Sequence, residues 1–210
     1  MEPLINILTR TSGRPNGFKR NVDSIRSQTY KNIRHIVCTD DKDSISYIEE
    51  MGITDYVFLD KEEFSKLETE PVRRGKKMIH NLYLNILNEK VTDGWIIYLD
   101  DDDRFFEKNS VQKVVNQINT VDDDTLVLWR MRYSSGRTLP FQWGDMRSGK
   151  IGGSCIGFHS KYSKDAIWDS WSASDFRVIE KLTKSIPKIS WLWQPIVFIP
   201  SAGLGKRNDI

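Results

Sequence analysis

Residues 95–103 read Trp95-Ile96-Ile97-Tyr98-Leu99-Asp100-Asp101-Asp102-Asp103, five apolar or aromatic side chains followed without a break by four aspartates. A short unbroken apolar run predicts a strand buried on both faces of a parallel sheet. Several carboxylates at the mouth of such a strand are costly unless something neutralises them. All-oxygen, fully charged donors suit Mg2+ or Mn2+. Open α/β sheets bind ligands beyond the carboxyl ends of their strands, where this run falls. Along an extended backbone residues i and i+2 share a face, so Asp100 and Asp102 are expected to meet one ligand while Asp101 and Asp103 turn away or cap a turn. The plain alternative is a solvated acidic turn. Asp122-Asp123-Asp124 serves as an internal control, because it precedes a strand and so belongs to the opposite, solvent-facing edge.

The sequence around this junction alternates strand and helix signals. Strands are expected at 4–9, 33–39, 55–59 and 95–99, with helices at 17–28, 44–51 and 74–88 between them. Such alternation predicts a mostly parallel sheet with right-handed crossovers. A helix from about Ser110 to Asn119, capped by Asn109 or Ser110, leads to a strand at 125–132. Residues 133–160 carry hairpin and loop signals around a short strand at 155–159. A helix at 174–183 and a final strand region at 189–199 follow. The polar tail 201–210 is expected to be a loop that closes over a ligand.

Composition excludes several classes. The 210 residues include 31 Lys+Arg and 29 Asp+Glu, a net charge of +2, which gives no case for a nucleic-acid or membrane partner. Cys38 and Cys155 are too far apart to suggest a zinc site or disulfide framework. Neither a signal peptide nor a membrane span is legible, so a soluble cytoplasmic protein of one domain is expected, in two halves at 1–104 and 105–210. Of seven tryptophans, five (Trp143, Trp168, Trp171, Trp191, Trp193) follow residue 140, so the two ends of the chain do different work. Trp143, Trp168 and Trp171 fall in predicted loops and are candidates for a binding platform, while Trp95, Trp191 and Trp193 are assigned to the core.

Three segments carry a family resemblance: Pro3-Leu4-Ile5-Asn6-Ile7-Leu8-Thr9-Arg10-Thr11, Ser24-Ile25-Arg26-Ser27-Gln28-Thr29-Tyr30, and Ile36-Val37-Cys38-Thr39-Asp40-Asp41. With Ile96 to Asp103 they resemble the first half of GT-A-fold glycosyltransferases of the family-2 type, and the compact chain is also similar to small viral members. The resemblance implies a Rossmann-like α/β sheet with a smaller mixed C-terminal region. It also implies a nucleotide-sugar donor, taken as a UDP-sugar, a carbohydrate acceptor, and Mn2+ or Mg2+ as cofactor. Thr9 and Arg10 would lie beside the base and ribose, and Asp40 would accept from the uracil imide. Asp100 would bind the ribose or support the metal, Asp101 belongs to the same donor motif, and Asp102 would ligate the ion. Arg73, Arg74 and Lys76 would meet the phosphates, and Gly153, in Gly152-Gly153-Ser154-Cys155, would let backbone approach the donor sugar. Ser174-Asp175-Phe176-Arg177 is similar to the segment that supplies the family's base. It makes Asp175 the expected catalytic base of an inverting transfer, against the simpler role of a helix cap. Ser174 stands where the family commonly has an acid.

Two other functions stay open on sequence. Thr11-Ser12-Gly13-Arg14-Pro15-Asn16-Gly17 partly matches the glycine-rich basic loop of sugar-phosphate nucleotidyltransferases. A non-catalytic carbohydrate-binding module would keep the fold without the chemistry.

Overall fold

The computed structural model describes residues 2–60, 62 and 75–200. The first half alternates as expected: β1 (Ile5–Arg10), α1 (Pro15–Arg26), β2 (Ile33–Thr39), α2 (Lys42–Glu50), β3 (Tyr56–Phe58), α3 (Tyr83–Glu89) and β4 (Trp95–Tyr98). Then come β5 (Arg104–Phe105), α4 (Ser110–Ile118), β6 (Thr125–Tyr133), β7 (Thr138–Leu139), β8 (Ile156–His159), α5 (Ser174–Ser185) and β9 (Lys188–Ile199). These strands form one sheet in the order β3-β2-β1-β4-β8-β6-β9-β5, with β7 on β6. β1 pairs in parallel with β2 and β4, and β2 with β3. β8 runs antiparallel to both β4 and β6, and β9 parallel to β6. Two reversals cancel, so β1–β4, β6 and β9 all point one way. The mostly parallel sheet that the sequence predicts is present, with a mixed C-terminal part.

β4 occupies the middle of the sheet, and Ile96, Ile97 and Leu99 are wholly buried. Burial on both faces explains why its sequence is continuous rather than alternating. α1 places Phe18, Val22 and Ile25 inward, as their helical spacing requires. The element predicted over 74–88 is shorter. Its predicted start at Arg74 lies outside the described residues, and the backbone of Lys77 bridges to Trp171 while Met78 N–H bonds the carbonyl of Ser170. Extended backbone tied to 170–172 cannot also be helical, so a 3-10 turn begins at Ile79 and passes into α3. The capping expected of α4 is also different. Asn109 holds the N-cap position without a side-chain bond, and Ser110 Oγ instead accepts from Glu107 N–H at 3.0 Å.

Trp95 and Trp129 are core residues. Trp191 and Trp193 are only half-buried on β9: Trp191 packs against the core, and Trp193 lies between the Arg130 guanidinium and Trp143. The second acidic run lies at the far edge as expected, where Asp122 pairs with Lys188 and Asp124 with Lys161.

Candidate active site

The carboxyl ends of β1, β2, β4, β6 and β9 open into one cleft of about 920 Å3. Arg10, Asp40, all four aspartates 100–103, Gly153 and Asp175 line it. Residues nearly the whole chain apart therefore converge because their strands share a direction.

The aspartates do not continue β4. Asp103 N–H bonds Asp100 C=O at 2.9 Å, closing a tight turn. The turn sorts the carboxylates much as strand alternation would: Asp101 and Asp103 are buried, while Asp100 and Asp102 are half-exposed to the cleft. Three groups from the β1–α1 region hold it. Arg10 Nε meets Asp100 Oδ1 at 3.1 Å and its Nη1 donates to Asn81 Oδ1 at 2.7 Å. Arg14 Nη1 lies 2.8 Å from Asp101 Oδ1 and 3.0 Å from Asp102 Oδ2. The buried Asn21 on α1 donates to the carbonyls of both Asp100 and Asp103, at 2.9 and 3.1 Å.

Two guanidinium groups do not neutralise this turn. Burial pushes Asp101 up to about 7, with Arg14 opposing and Asp102 and Asp100 adding to the shift. Burial also raises Asp102, with Asp100 adding to it and Arg14 opposing. It raises Asp103 well above the carboxylate range, despite the bond from Ser154 Oγ at 3.2 Å. Burial and, after it, mutual repulsion disfavour ionisation of these carboxyl groups.

Asp175 stands in the first turn of α5, on the C-terminal wall. It is not the helix cap. Ala173 holds that position, in the left-handed region at φ 60, and the Asp175 Oδ1 accepts from the next amide, Phe176 N–H, at 2.8 Å. Arg177 forks onto Asp169 and donates to Ser172 O, fixing the loop that enters the helix. Burial raises Asp175 above an ordinary carboxylate; the N–H groups of Phe176 and Gly153 oppose this and Asp100 adds to it. The glycine pair makes room for this wall. A Cβ on Gly153 would lie 2.8 Å from Trp168 Cη2, and one on Gly152 3.3 Å from Asp175 Oδ2.

Not every expected residue reaches the cleft. Thr9 is wholly buried, donates to Leu99 O at 2.8 Å and contacts His35 Nε2 at 2.9 Å, so it ties β1 to β4 instead. Asp40 lines the cleft and accepts from Tyr83 Oη at 2.8 Å. Lys76 lines it too, whereas Arg73, Arg74 and the tail 201–210 lie outside the described residues. Of the three platform candidates only Trp168 faces the cleft, edge-on to Tyr98 at 5.1 Å. His159 sits beside Asp123 and Trp95, away from the site.

The sequence reading gives Asn21 and His80 no role and names Arg14 only within the candidate nucleotidyltransferase loop. Arg14 was legible as an arginine in the loop directly after the first strand. Asn21 reads only as a polar residue on the buried face of α1. His80 lines the cleft and is pushed down to about 4 by burial, with Arg10 adding to that shift, so it is neutral at pH 7.

No family model and no curated protein matches the chain. Solved structures do. TarS from S. aureus superposes with a TM-score of 0.70 at 12% identity, over 94% of this chain and 37% of that one. TarS 1-349 in complex with UDP-GlcNAc also gives 0.70, at 14% identity, over 94% of this chain and 58% of that one. The mannosyltransferase PcManGT from Pyrobaculum calidifontis, in complex with GDP-Man and Mn2+, gives 0.64 at 15% identity, over 97% and 59%. This chain has the fold of these glycosyltransferases. It spans between 37% and 59% of their lengths, and at such identities the GT-A likeness is one of architecture.

Proposed function

We propose that the chain is a metal-dependent glycosyltransferase that moves a sugar from a UDP-sugar to a hydroxyl of a carbohydrate acceptor, inverting the anomeric centre. The observation that carries this reading is the convergence, in one cleft of a GT-A sheet, of an under-neutralised aspartate turn with a separate carboxylate, Asp175. TarS solved with UDP and PcManGT solved with GDP-Man and Mn2+ support it on the donor side. A nucleotidyltransferase is less well supported, because Arg14 of its candidate loop is engaged by Asp101 and Asp102.

The donor set fits a hard divalent ion: it is all oxygen, and Asp100 and Asp102 are half-exposed to the cleft. Among the described residues no three metal-ligating side chains form a closed cage. Mg2+ and Mn2+ commonly bind through one or two carboxylates plus substrate phosphates and water. Asp102 would hold the ion with Asp100 beside it, and the bound ion would supply charge neutralisation for the leaving diphosphate. Lys76 faces the same cleft and would add positive charge near the phosphates. Asp40, oriented by Tyr83, would accept from the uracil imide.

Asp175 would take the acceptor hydroxyl proton as the oxygen bonds to the anomeric carbon. The bond to the diphosphate breaks with its electron pair leaving on the diphosphate oxygen. Burial suits Asp175 to this work by raising its basicity above that of an ordinary carboxylate. Radiolabelled UDP-sugars, with Mn2+ or chelator and a mixed glycan acceptor pool, test the proposal. It expects Mn2+-dependent UDP release and label in glycan; pyrophosphate release from UTP and a sugar phosphate would contradict it.

A further inference from the structure

A basic aromatic surface runs from the cleft across the β6–β7 hairpin. Tyr133 lines the cleft, and the Arg137 guanidinium lies 5.8 Å from its ring and 5.6 Å from that of Phe141. Lys150 Nζ approaches the same Phe141 ring at 5.8 Å. Next door, Arg130 bonds Pro140 O and stacks 4.2 Å over Trp193, which packs against Trp143 at 5.4 Å. Phe141 and Trp143 are 57% and 62% exposed, the most exposed large apolar side chains among the described residues. Among the described residues no layer covers them.

The charges are as unusual as the rings. Arg130, Arg132, Arg137 and Lys150 form no ion pair among the described residues, whereas the nearby Arg147 is neutralised by Asp145 at 2.7 Å. Arg130 is held below the ordinary guanidinium range by burial and by Arg132, so two cations crowd together without a carboxylate. Exposed rings offer flat faces to pyranose C–H groups, and unpaired guanidinium groups between them offer forked donors to carboxylate, sulfate or phosphate.

We propose that this surface is a docking track for an anionic glycan chain, which it delivers to the cleft as the acceptor. The acceptor role rests on the transferase reading above; the binding does not. A glycan is favoured over other polyanions because the track ends at Tyr133 in the cleft, and Phe141 and Trp143 stay more than half exposed beside its cations.

Affinity electrophoresis in gels containing polygalacturonate, neutral dextran or poly(U) tests the track. The wild type, Phe141→Ala/Trp143→Ala, Arg137→Gln/Lys150→Gln and Trp143→Tyr are compared, with UDP titration on each as a check of the cleft. Retardation by polygalacturonate is expected, weakening about tenfold in each double variant and retained in Trp143→Tyr. UDP affinity should be the same in all four. Unchanged retardation in both double variants, equal retention by dextran, or stronger retention by poly(U) would overturn the proposal. Glycan binding through these residues by a protein that binds no UDP would keep the site and remove its acceptor role. UDP binding without glycan retention would leave the transferase reading intact and end the track.

Discussion

In the proposed transfer Asp175 bears the heaviest chemical demand of any single residue. Asp175→Asn keeps the shape and the bond from Phe176 N–H but cannot take a proton. Steady-state kinetics should show kcat lower by about 10^2- to 10^4-fold with UDP affinity unchanged. The sign of the pH effect follows from the raised pKa. The base works only when ionised, so the acid limb of kcat/KM should fall as pH drops and lie above the ordinary carboxylate range. Stability moves the other way, since a carboxylate with a raised folded-state pKa favours the fold as pH falls. Removing its charge at neutral pH should therefore raise Tm, measured by calorimetry. Asp102 and Asp175 were named from sequence for their unusual chemistry, and the structure brings both to one cleft. Thr9 misled because position at a strand's end does not specify which way a hydroxyl points; it bonds back to Leu99 O instead.

The elements that matter are short and held from outside. The aspartate turn depends on Asn21 of α1, whose two bonds satisfy the carbonyls of Asp100 and Asp103. Asn21→Ala leaves both unmet in a buried place, and denaturant titration should show a loss of about 2–4 kcal/mol. The same variant should raise the donor KM more than it lowers kcat. Gly153 makes the opposite wall possible. Gly153→Ala would force Trp168 to move, costing about 1–3 kcal/mol and misplacing Asp175, which stability and turnover measurements together would register. Strand–helix alternation made α1, α2 and β1–β4 readable. α3 was overextended because apolar spacing at 78–86 cannot report that residues 77 and 78 are already bonded to 170 and 171.

Across the whole molecule, one geometric fact produces the site: six strands share a direction, and their carboxyl ends meet at one edge. Local pattern could not reveal that β8 runs against its neighbours, nor that β5 and β7, two residues each, would join the sheet. Pairing direction is set by contacts far apart in sequence, which leave no trace in the periodicity of a four-residue run. The C-terminal tryptophans show the same limit, for whether Trp193 is core or surface depends on what covers β9, not on its own alternation. What the sequence did carry was the position of the acidic turn behind a doubly buried strand, and the proposed chemistry depends on it. Isothermal titration of UDP with and without Mn2+, on the wild type and Asp102→Asn, tests that dependence most directly. The wild type should bind UDP at least about tenfold tighter with Mn2+, and Asp102→Asn should lose that gain while keeping the metal-free affinity. A gain that survives in Asp102→Asn, or a wild type indifferent to Mn2+, would contradict a metal–diphosphate site at this turn.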